Sequence, residues 1–460
     1  MHVQILGAAR EVTGSCFLVT VGRRQVLVEC GLIQGSRERE RHNADPFPFD
    51  PRQLDAVVLT HAHLDHSGRL PLLVREGFTG KVYTQRATAD LCSILLQDAA
   101  WLMERDAERD SRRRGDRRPV APLYNREDAR AAQQSFRAID YGHRIRICDG
   151  AWLTLRDAGH ILGSAIAELE LEEEGTRRRL VVSGDLGQPD APILRDPETV
   201  RQADLVLLES TYGDRLHRPW AATWEEIGGI LRAAREGGGN VLIPSFAVGR
   251  AQEILYVFGR HFDEWGLGDW QIFLDSPMAI EATDVYARHA RIYDEQAREW
   301  HGERAQPYKL PNVRFTRTPE ESMAINAVRE RAIVIAGSGM CSGGRITHHL
   351  RHNLGHPGTH VMIVGFQAIG TPGRALVDGV ETLRLFGEEI PVRAKIHTVG
   401  GLSAHADQAA LLAWYGAIPG RPPVALVHGE EKAMDALAAR LREDLGAEVT
   451  VPVRGQSLPL

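Results

Sequence analysis

The sequence predicts an α/β protein of two domains, the second inserted into the first. Three observations carry this expectation. A chain of 460 residues exceeds what one ordinary core organises. Residues 1–59 and 144–208 are rich in short β-type runs punctuated by glycine, whereas residues 213–393 alternate helix with strand in the βαβ rhythm of a doubly wound sheet. Beyond residue 393 strands and polar motifs return, so the C-terminal segment is expected to complete the first domain. The expected boundaries are 1–212, 213–393 and 394–460.

Composition bounds the function. Hydrophobic content of 43% and charged content of 25% are those of a globular chain. No run of 18 apolar residues exists and the N-terminus enters a strand at once with Val3-Gln4-Ile5-Leu6, so a cytoplasmic protein without a membrane partner is expected. The five cysteines form an odd set without Cys-x-x-Cys, which gives neither a disulfide framework nor a thiolate zinc site. A net charge of −6 excludes a polycation but leaves room for a local basic channel of the kind phosphate binding needs.

In order along the chain, strands are expected at 3–6, 16–21, 25–29 and 56–59, a short helix at 67–76 and a strand at 81–84. Leu91, Leu95, Leu96 and Leu102 fall at helical spacing in 88–105. That helix runs into a charge-dense stretch, 104–118, with Arg112-Arg113-Arg114 and Arg117-Arg118. It reads as a solvated loop in preference to an RNA-contacting arm. Strands follow at 144–148, 152–156, 165–171, 179–183 and 205–208. In the insert, helices are expected at 224–235, 249–259, 319–329 and 344–353, and strands at 240–243, 271–274, 332–336 and 361–364. A strand at 394–399, a helix at 407–415, a strand at 424–427 and a helix at 432–445 close the chain. Asp407 is either the cap of its helix or part of the site.

The chemistry begins at His61-Ala62-His63-Leu64-Asp65-His66, directly after the apolar run 54–60. In an extended segment residues two apart point the same way, so His61 and His63 can grip one ion while Asp65 and His66, past the bend, face a second. Further polar groups end other apolar strands: His160, Asp185, Glu209 and His428, the usual address of a site in an α/β sheet. Seven candidate ligands result: His61, His63, Asp65, His66, His160, Asp185 and His428. Imidazole and carboxylate donors suit zinc, a carboxylate between two histidine groups can bridge, and the count fits two ions.

These motifs, His-x-His-x-Asp-His, a later Gly-His, Ser-Gly-Asp and a strand-terminal histidine, resemble the metallo-β-lactamase fold. The carboxylate of Leu208-Glu209-Ser210-Thr211, the histidine of Ser403-Ala404-His405-Ala406-Asp407 and that of Val427-His428-Gly429 extend the resemblance to the β-CASP nucleases. So do Pro244-Ser245-Phe246-Ala247-Val248-Gly249-Arg250, Asp275-Ser276-Pro277, Gly337-Ser338-Gly339-Met340-Cys341-Ser342-Gly343-Gly344-Arg345 and Gly365-Phe366-Gln367-Ala368-Ile369-Gly370-Thr371-Pro372-Gly373-Arg374. That branch includes the pre-mRNA 3′-end-processing endonuclease and ribonuclease J. The resemblance implies an αββα sandwich with an inserted β-CASP domain. It implies one metal on His61, His63 and His160, a second on Asp65, His66 and His428, Asp185 between them, and Glu209 with His405 as an acid pair. It departs at Glu29-Cys30-Gly31, where the family has aspartate, and a longer carboxylate there is expected to alter the hold on a ligand histidine.

The implied activity is two-metal hydrolysis of single-stranded RNA, endonucleolytic and conceivably also 5′-exonucleolytic, with two zinc ions per chain or manganese in their stead. Asp65, Asp185, Glu209 and His405 are the expected catalytic set. The loop 337–344 opens a helix, so Ser338, Gly339, Gly343 and Gly344 are expected to cradle a phosphate beside Arg345, with Arg250 and Arg374 as further contacts. His348, His352, His356 and His360 recur every four residues, but Gly355 and Pro357 interrupt the helix, so no third metal site is expected. His397, inside a strand, is expected to be packed. The alternatives are a DNA nuclease of the same family acting on single-stranded DNA, a thioester or lactone hydrolase of the lactamase fold, and an inactive RNA-binding subunit. A monomer or homodimer is expected.

Overall fold

The computed structural model describes residues 1–114, 119–303, 308–368 and 370–460. Arg117 and Arg118 of the charge-dense stretch, the side chains of Arg113 and Arg114, and Ile369 lie outside the described residues. The chain divides into two compact units, Met1–Leu216 with His405–Leu460, and His217–Ala404.

The first unit is built on two seven-stranded sheets. One runs Ser457–Pro459, His2–Ile5, Phe17–Val21, Arg24–Val28, Ala56–Val58, Lys81–Gln85 and Phe136–Ile139 in spatial order. The other runs Val449–Thr450, Val424–Val427, Leu205–Glu209, Thr176–Val182, Ala165–Glu173, Ala151–Asp157 and Ile145–Cys148. Period-two alternation decides which side chains meet between them. Val3, Ile5, Val26 and Val28 from one sheet and Leu153, Leu155, Leu180, Val182, Leu205 and Leu207 from the other share one buried core. The residues between, such as Val181, Val206 and Leu208, face away into a second core with Leu411, Trp414 and Tyr415 of the helix Gln408–Gly416 and Leu437 and Leu441 of the helix Glu431–Leu445. Strands buried on both faces read as continuous apolar runs, which is why 205–208 and 424–427 were legible. The helix Arg86–Arg114 packs on the strands Lys81–Gln85 and Phe136–Ile139. This is the expected sandwich of two sheets faced by helices.

One expectation fails here. The stretch 104–118 is not a loop as far as it is described: the helix continues to Arg114, with Arg109 and Arg112 pairing to acids one turn away. Opposite charges three and four residues apart stabilise the last turns of this helix, whose buried leucines, Leu91, Leu95 and Leu96, lie nearer its start.

The second unit has a six-stranded, all-parallel sheet in the order Val313–Phe315, Gln271–Leu274, Ala332–Ala336, Val241–Pro244, His360–Ile363 and Lys395–Thr398. Leu242, Phe273, Val334, Val361 and Ile363 share a core with Ile346 and Leu350 of the helix Gly344–Asn353. The boundary at 394 differs from the expectation. Lys395–Thr398 was expected to open the returning part of the first domain, yet it pairs in parallel with His360–Ile363 on the edge of this sheet. An open parallel edge offers a ladder of unpaired backbone groups, and this strand satisfies it. The expected helix 319–329 ends as α-helix at Ala324 and finishes in a 3-10 turn, Ile325–Ala327.

No helix among the described residues is long and apolar enough to cross a membrane.

Candidate metal centre

The strand Ala56–Val58 delivers the loop that carries His61, His63, Asp65 and His66. Gly31 lets it approach: a Cβ at that position would lie 1.6 Å from the backbone oxygen of Asp65. The loop is also tied down by hydrogen bonds from Cys30 N–H to His66 O and Ser15 N–H to Asp65 O. His160 follows the strand Ala151–Asp157, Asp185 follows Thr176–Val182, and His428 follows Val424–Val427. His428 and Glu29 have left-handed backbones, φ 51° and 65°, each held by a backbone hydrogen bond, to Ala8 O and Val58 O. Non-glycine residues held there carry strain that the surroundings must enforce.

Two groups of side chains meet at Asp185. His61, His63, His160 and Asp185 bring one ligand atom each within 4.8 Å of one another, and so do Asp65, His66 and His428. Asp185 Oδ2 lies 3.3 Å from His61 Nε2 and 3.5 Å from His160 Nε2. Its other oxygen, Oδ1, lies 3.4 Å from His66 Nε2 and 3.7 Å from His428 Nε2. One carboxylate therefore presents a separate oxygen to each group.

These separations are too long for good hydrogen bonds. They match ligands around a cation, because donors about 2.0–2.1 Å from a tetrahedral zinc stand about 3.3–3.4 Å apart. Asp185 Oδ1 and His66 Nε2, 3.4 Å apart, are both buried without a hydrogen-bond partner, a costly state that a cation between them would relieve. The donor set fits a metal.

Electrostatics agree with that fit. Burial, reinforced by neighbouring imidazoles, pushes His61 and His66 well below the ordinary histidine range. Burial takes His63 and His428 down to about 3. The imidazoles are thus neutral, as ligands must be. Burial pushes Asp65 up to about 6, and drives Asp185 well above the carboxylate range with Glu209 and Asp65 adding to it. The cluster lacks positive charge, and a bound cation would supply it.

Behind the candidate ligands, Ser15 holds one ring and Glu29 faces another. Ser15 Oγ lies 3.0 Å from His428 Nδ1, and Glu29 Oε2 lies 3.4 Å from His66 Nδ1 while Glu29 Oε1 accepts from Thr60 N–H at 3.0 Å. Sequence reasoning missed Ser15, and Tyr212, whose ring lies 6.0 Å from that of His405. Beside the cluster, His405 Nδ1 sits 3.2 Å from Glu209 Oε1 and 3.9 Å from Asp185 Oδ2. Burial would raise Glu209, but the charge and hydrogen bond of His405 outweigh it and hold the carboxylate low. Glu209 also accepts from the N–H groups of Leu186 and Thr211, which locks its plane. Asp407 caps the helix Gln408–Gly416 through Ala410 N–H at 2.9 Å.

The remaining candidates lie in the second unit. Ser338, Gly339, Gly343 and Gly344 form the turn between the strand Ala332–Ala336 and the helix Gly344–Asn353. The three arginines are engaged within the protein. Arg345 bonds Asp275 at 2.7 Å and the backbone oxygens of Thr316 and Arg317. Arg250, buried, bonds Leu402 O at 2.7 Å and pairs with Glu253, and Arg374 pairs with Asp378 at 2.8 Å. Asp275, which opens the Asp275-Ser276-Pro277 motif, is the hub of this region: fully buried, it also accepts from Thr316, Ser322 and His349, each at 2.6 Å. His360 and His397 bond each other at 3.0 Å, and among the described residues no group able to hold a cation includes His348, His352, His356 or His360.

Comparison with known proteins follows this geometry. Residues 9–134 match the metallo-beta-lactamase superfamily, residues 251–376 the Beta-Casp domain, and residues 389–452 the Zn-dependent metallo-hydrolase RNA specificity domain. A ribonuclease of Thermus thermophilus is 42% identical over 100% of both chains. An RNase J-like protein of Methanocaldococcus jannaschii is 29% identical, covering 99% of this chain and 98% of its own. The transcription termination factor FttA of the same organism is 30% identical over 98% of this chain and 70% of its own. The crystal structure of a protein of unknown function from Enterococcus faecalis V583 shares the fold, with a TM-score of 0.56, 12% identity and coverage of 100% and 99%. With full-length identity of 42% to one relative and three matched domains in order, the chain belongs to the β-CASP branch of the metallo-β-lactamase superfamily.

Proposed function

We propose that this protein hydrolyses phosphodiester bonds of single-stranded RNA with two zinc ions, or manganese in their stead, in RNA processing or decay. The observation that carries the reading is Asp185, whose two oxygens face separate histidine groups. His61, His63 and His160 would hold one ion, Asp65, His66 and His428 the other, and Asp185 both. When bound, such a pair activates a water and neutralises the scissile phosphate. Asp65 and Asp185 are the carboxylates that would orient that water, and each must be deprotonated to do so. His405 would give a proton to the departing sugar oxygen, leaving a 3′-hydroxyl on one product and a 5′-phosphate on the other. Its Nδ1 is committed to Glu209, so the proton would leave from Nε2.

RNA is favoured over DNA by the match of residues 389–452 to an RNA specificity domain and by relatives named as ribonucleases. The first unit would carry the chemistry and re-form near residue 405, while the second would contact the strand through the turn 337–344. With Arg345, Arg250 and Arg374 bound within the protein, they are better read as holding that turn and its neighbours in shape than as primary phosphate contacts. In this reading the protein works in the cytoplasm as a monomer or homodimer.

The test is cleavage of 5′-labelled and internally labelled single-stranded RNA, with and without chelator, beside His405→Ala. Wild type is expected to cut only with metal, and His405→Ala to lose about 10²–10⁴-fold in turnover with its metal content intact. Wild type that cuts nothing with zinc or manganese supplied would defeat the reading.

A further inference from the structure

At the C-terminal edge of the parallel sheet in the second unit, three adjacent strands end in turns that meet. Ala332–Ala336 leads into the glycine turn 337–344, Val241–Pro244 into Ser245-Phe246, and His360–Ile363 into Val364-Gly365-Phe366. The strand Val241–Pro244 lies between the other two. Its Phe246 ring rests on both neighbours. A Cβ at Gly339 would come within 2.9 Å of that ring, so this glycine leaves the space the ring occupies, while one at Gly365 would touch it at an ordinary 3.5 Å. Gln367 ties the same turns together, its Nε2 donating to Gly339 O at 2.9 Å and Gly365 O at 3.1 Å, while its Oε1 is buried without a hydrogen-bond partner.

Despite that bed, Phe246 remains 43% exposed, and Phe366 is 52% exposed. A ring that merely filled a gap between two glycine turns would be expected to bury its faces. Here two phenyl groups stand out to solvent beside a turn of glycines at the start of a ten-residue helix. Carboxyl ends of parallel strands are where α/β sheets bind ligands. A glycine turn at a helix N-terminus beside a flat apolar face matches a nucleotide better than a peptide, since every nucleotide joins a base with a π-face to a phosphate.

We propose that Phe246 and Phe366 are stacking platforms for unpaired nucleobases of the RNA strand, giving the protein affinity for single-stranded over duplex substrate. The inference rests on the ribonuclease reading and goes beyond it by assigning two residues outside the metal centre to base recognition. Stacking requires a base free of its own helix, so the ligand is single-stranded and its sequence is only weakly selected.

The test uses full-length, metal-loaded protein carrying His405→Ala to slow cleavage, and measures by fluorescence anisotropy the binding of a labelled oligoadenylate and of an abasic oligomer of equal length. Phe246→Ala and Phe366→Ala are each expected to weaken oligoadenylate binding about fivefold or more, leave the abasic oligomer unchanged, and be rescued at position 246 by tryptophan. Phe386→Ala, which removes another exposed ring, one stacked on His348 at 4.6 Å, is expected to bind as its parent does. Equal weakening toward both oligomers would mean that Phe246 only supports the glycine turn, and no weakening toward either would mean that the rings do not touch bases; each result overturns the proposal. If the parent binds no oligoadenylate and wild type cuts no RNA, the ribonuclease reading falls and this inference with it. If wild type cuts and only the phenylalanine variants behave as their parent, this inference alone falls.

Discussion

Ser15 and Glu29 stand behind candidate ligand histidines: Ser15 Oγ lies within hydrogen-bond distance of His428 Nδ1, at 3.0 Å, and Glu29 Oε2 faces His66 Nδ1 at 3.4 Å. Removing such a partner frees the ring to turn and weakens its metal bond. Ser15→Ala and Glu29→Gln are each expected to lower zinc affinity by about 10–100-fold, read by competition with a chromophoric chelator, without unfolding the chain. The acid–base state of the site gives a second expectation. With Asp65 raised to about 6 by burial and Asp185 raised well above the ordinary carboxylate range, a proton must leave for a cation to bind. Zinc should therefore bind more tightly at pH 7.5 than at pH 5.5, and calorimetry in two buffers should register proton release; uptake of protons would contradict the assignment. Six consecutive positions made the loop from His61 to His66 plain in the sequence, because neighbouring ligands imply one another. Ser15 was silent, since its partner lies 413 residues away and nothing local marks a serine that holds a distant ring.

Among the elements, those with both faces buried were read nearly to the residue, including Ala332–Ala336, Gln271–Leu274 and Val424–Val427. A fully apolar run between turns leaves little choice. The helices that went unread include Arg126–Gln134 and Pro277–Arg288, although Asn125 with Asp128 forms a capping box and Ser276 caps the second with proline following it. Their caps are written in the sequence; their apolar faces are too short to stand out. The edge strand Lys395–Thr398 was assigned to the wrong unit because pairing partner, unlike strand type, is a long-range property. Asp275 holds the element-scale prediction. Burial would raise it, but hydrogen bonds from His349, Ser322, Thr316 and Arg345 hold it down to about 2. An unfolded aspartate titrates near about 3.9, so this stability is complete above that value and is lost as pH falls through the folded one. Asp275→Asn leaves Arg345 and His349 facing an uncharged amide inside the protein and is expected to cost about 3–5 kcal/mol in urea unfolding of the second unit. Metal content should stay at the wild-type level, since the seven candidate ligands all belong to the first unit.

For the molecule as a whole, two units with separate cores imply two unfolding events. The candidate ligands, drawn from positions 61 to 428, all lie in the first unit, so a metal bound to them should stabilise that unit alone. Chelation is expected to lower one calorimetric transition and leave the other in place. The insertion was visible in the sequence as a change from glycine-punctuated strands to alternating helix and strand; where the chain crosses back was not, because the crossing has no composition of its own. What unites the two scales is Asp185, the residue at which both histidine groups meet. The direct measurement is the number of metal ions per chain in the purified protein, by mass spectrometry of the elements, for wild type and Asp185→Asn. Two ions per wild-type chain and fewer in the variant are expected. One ion per active wild-type chain, or two retained without the Asp185 carboxylate, would contradict the account.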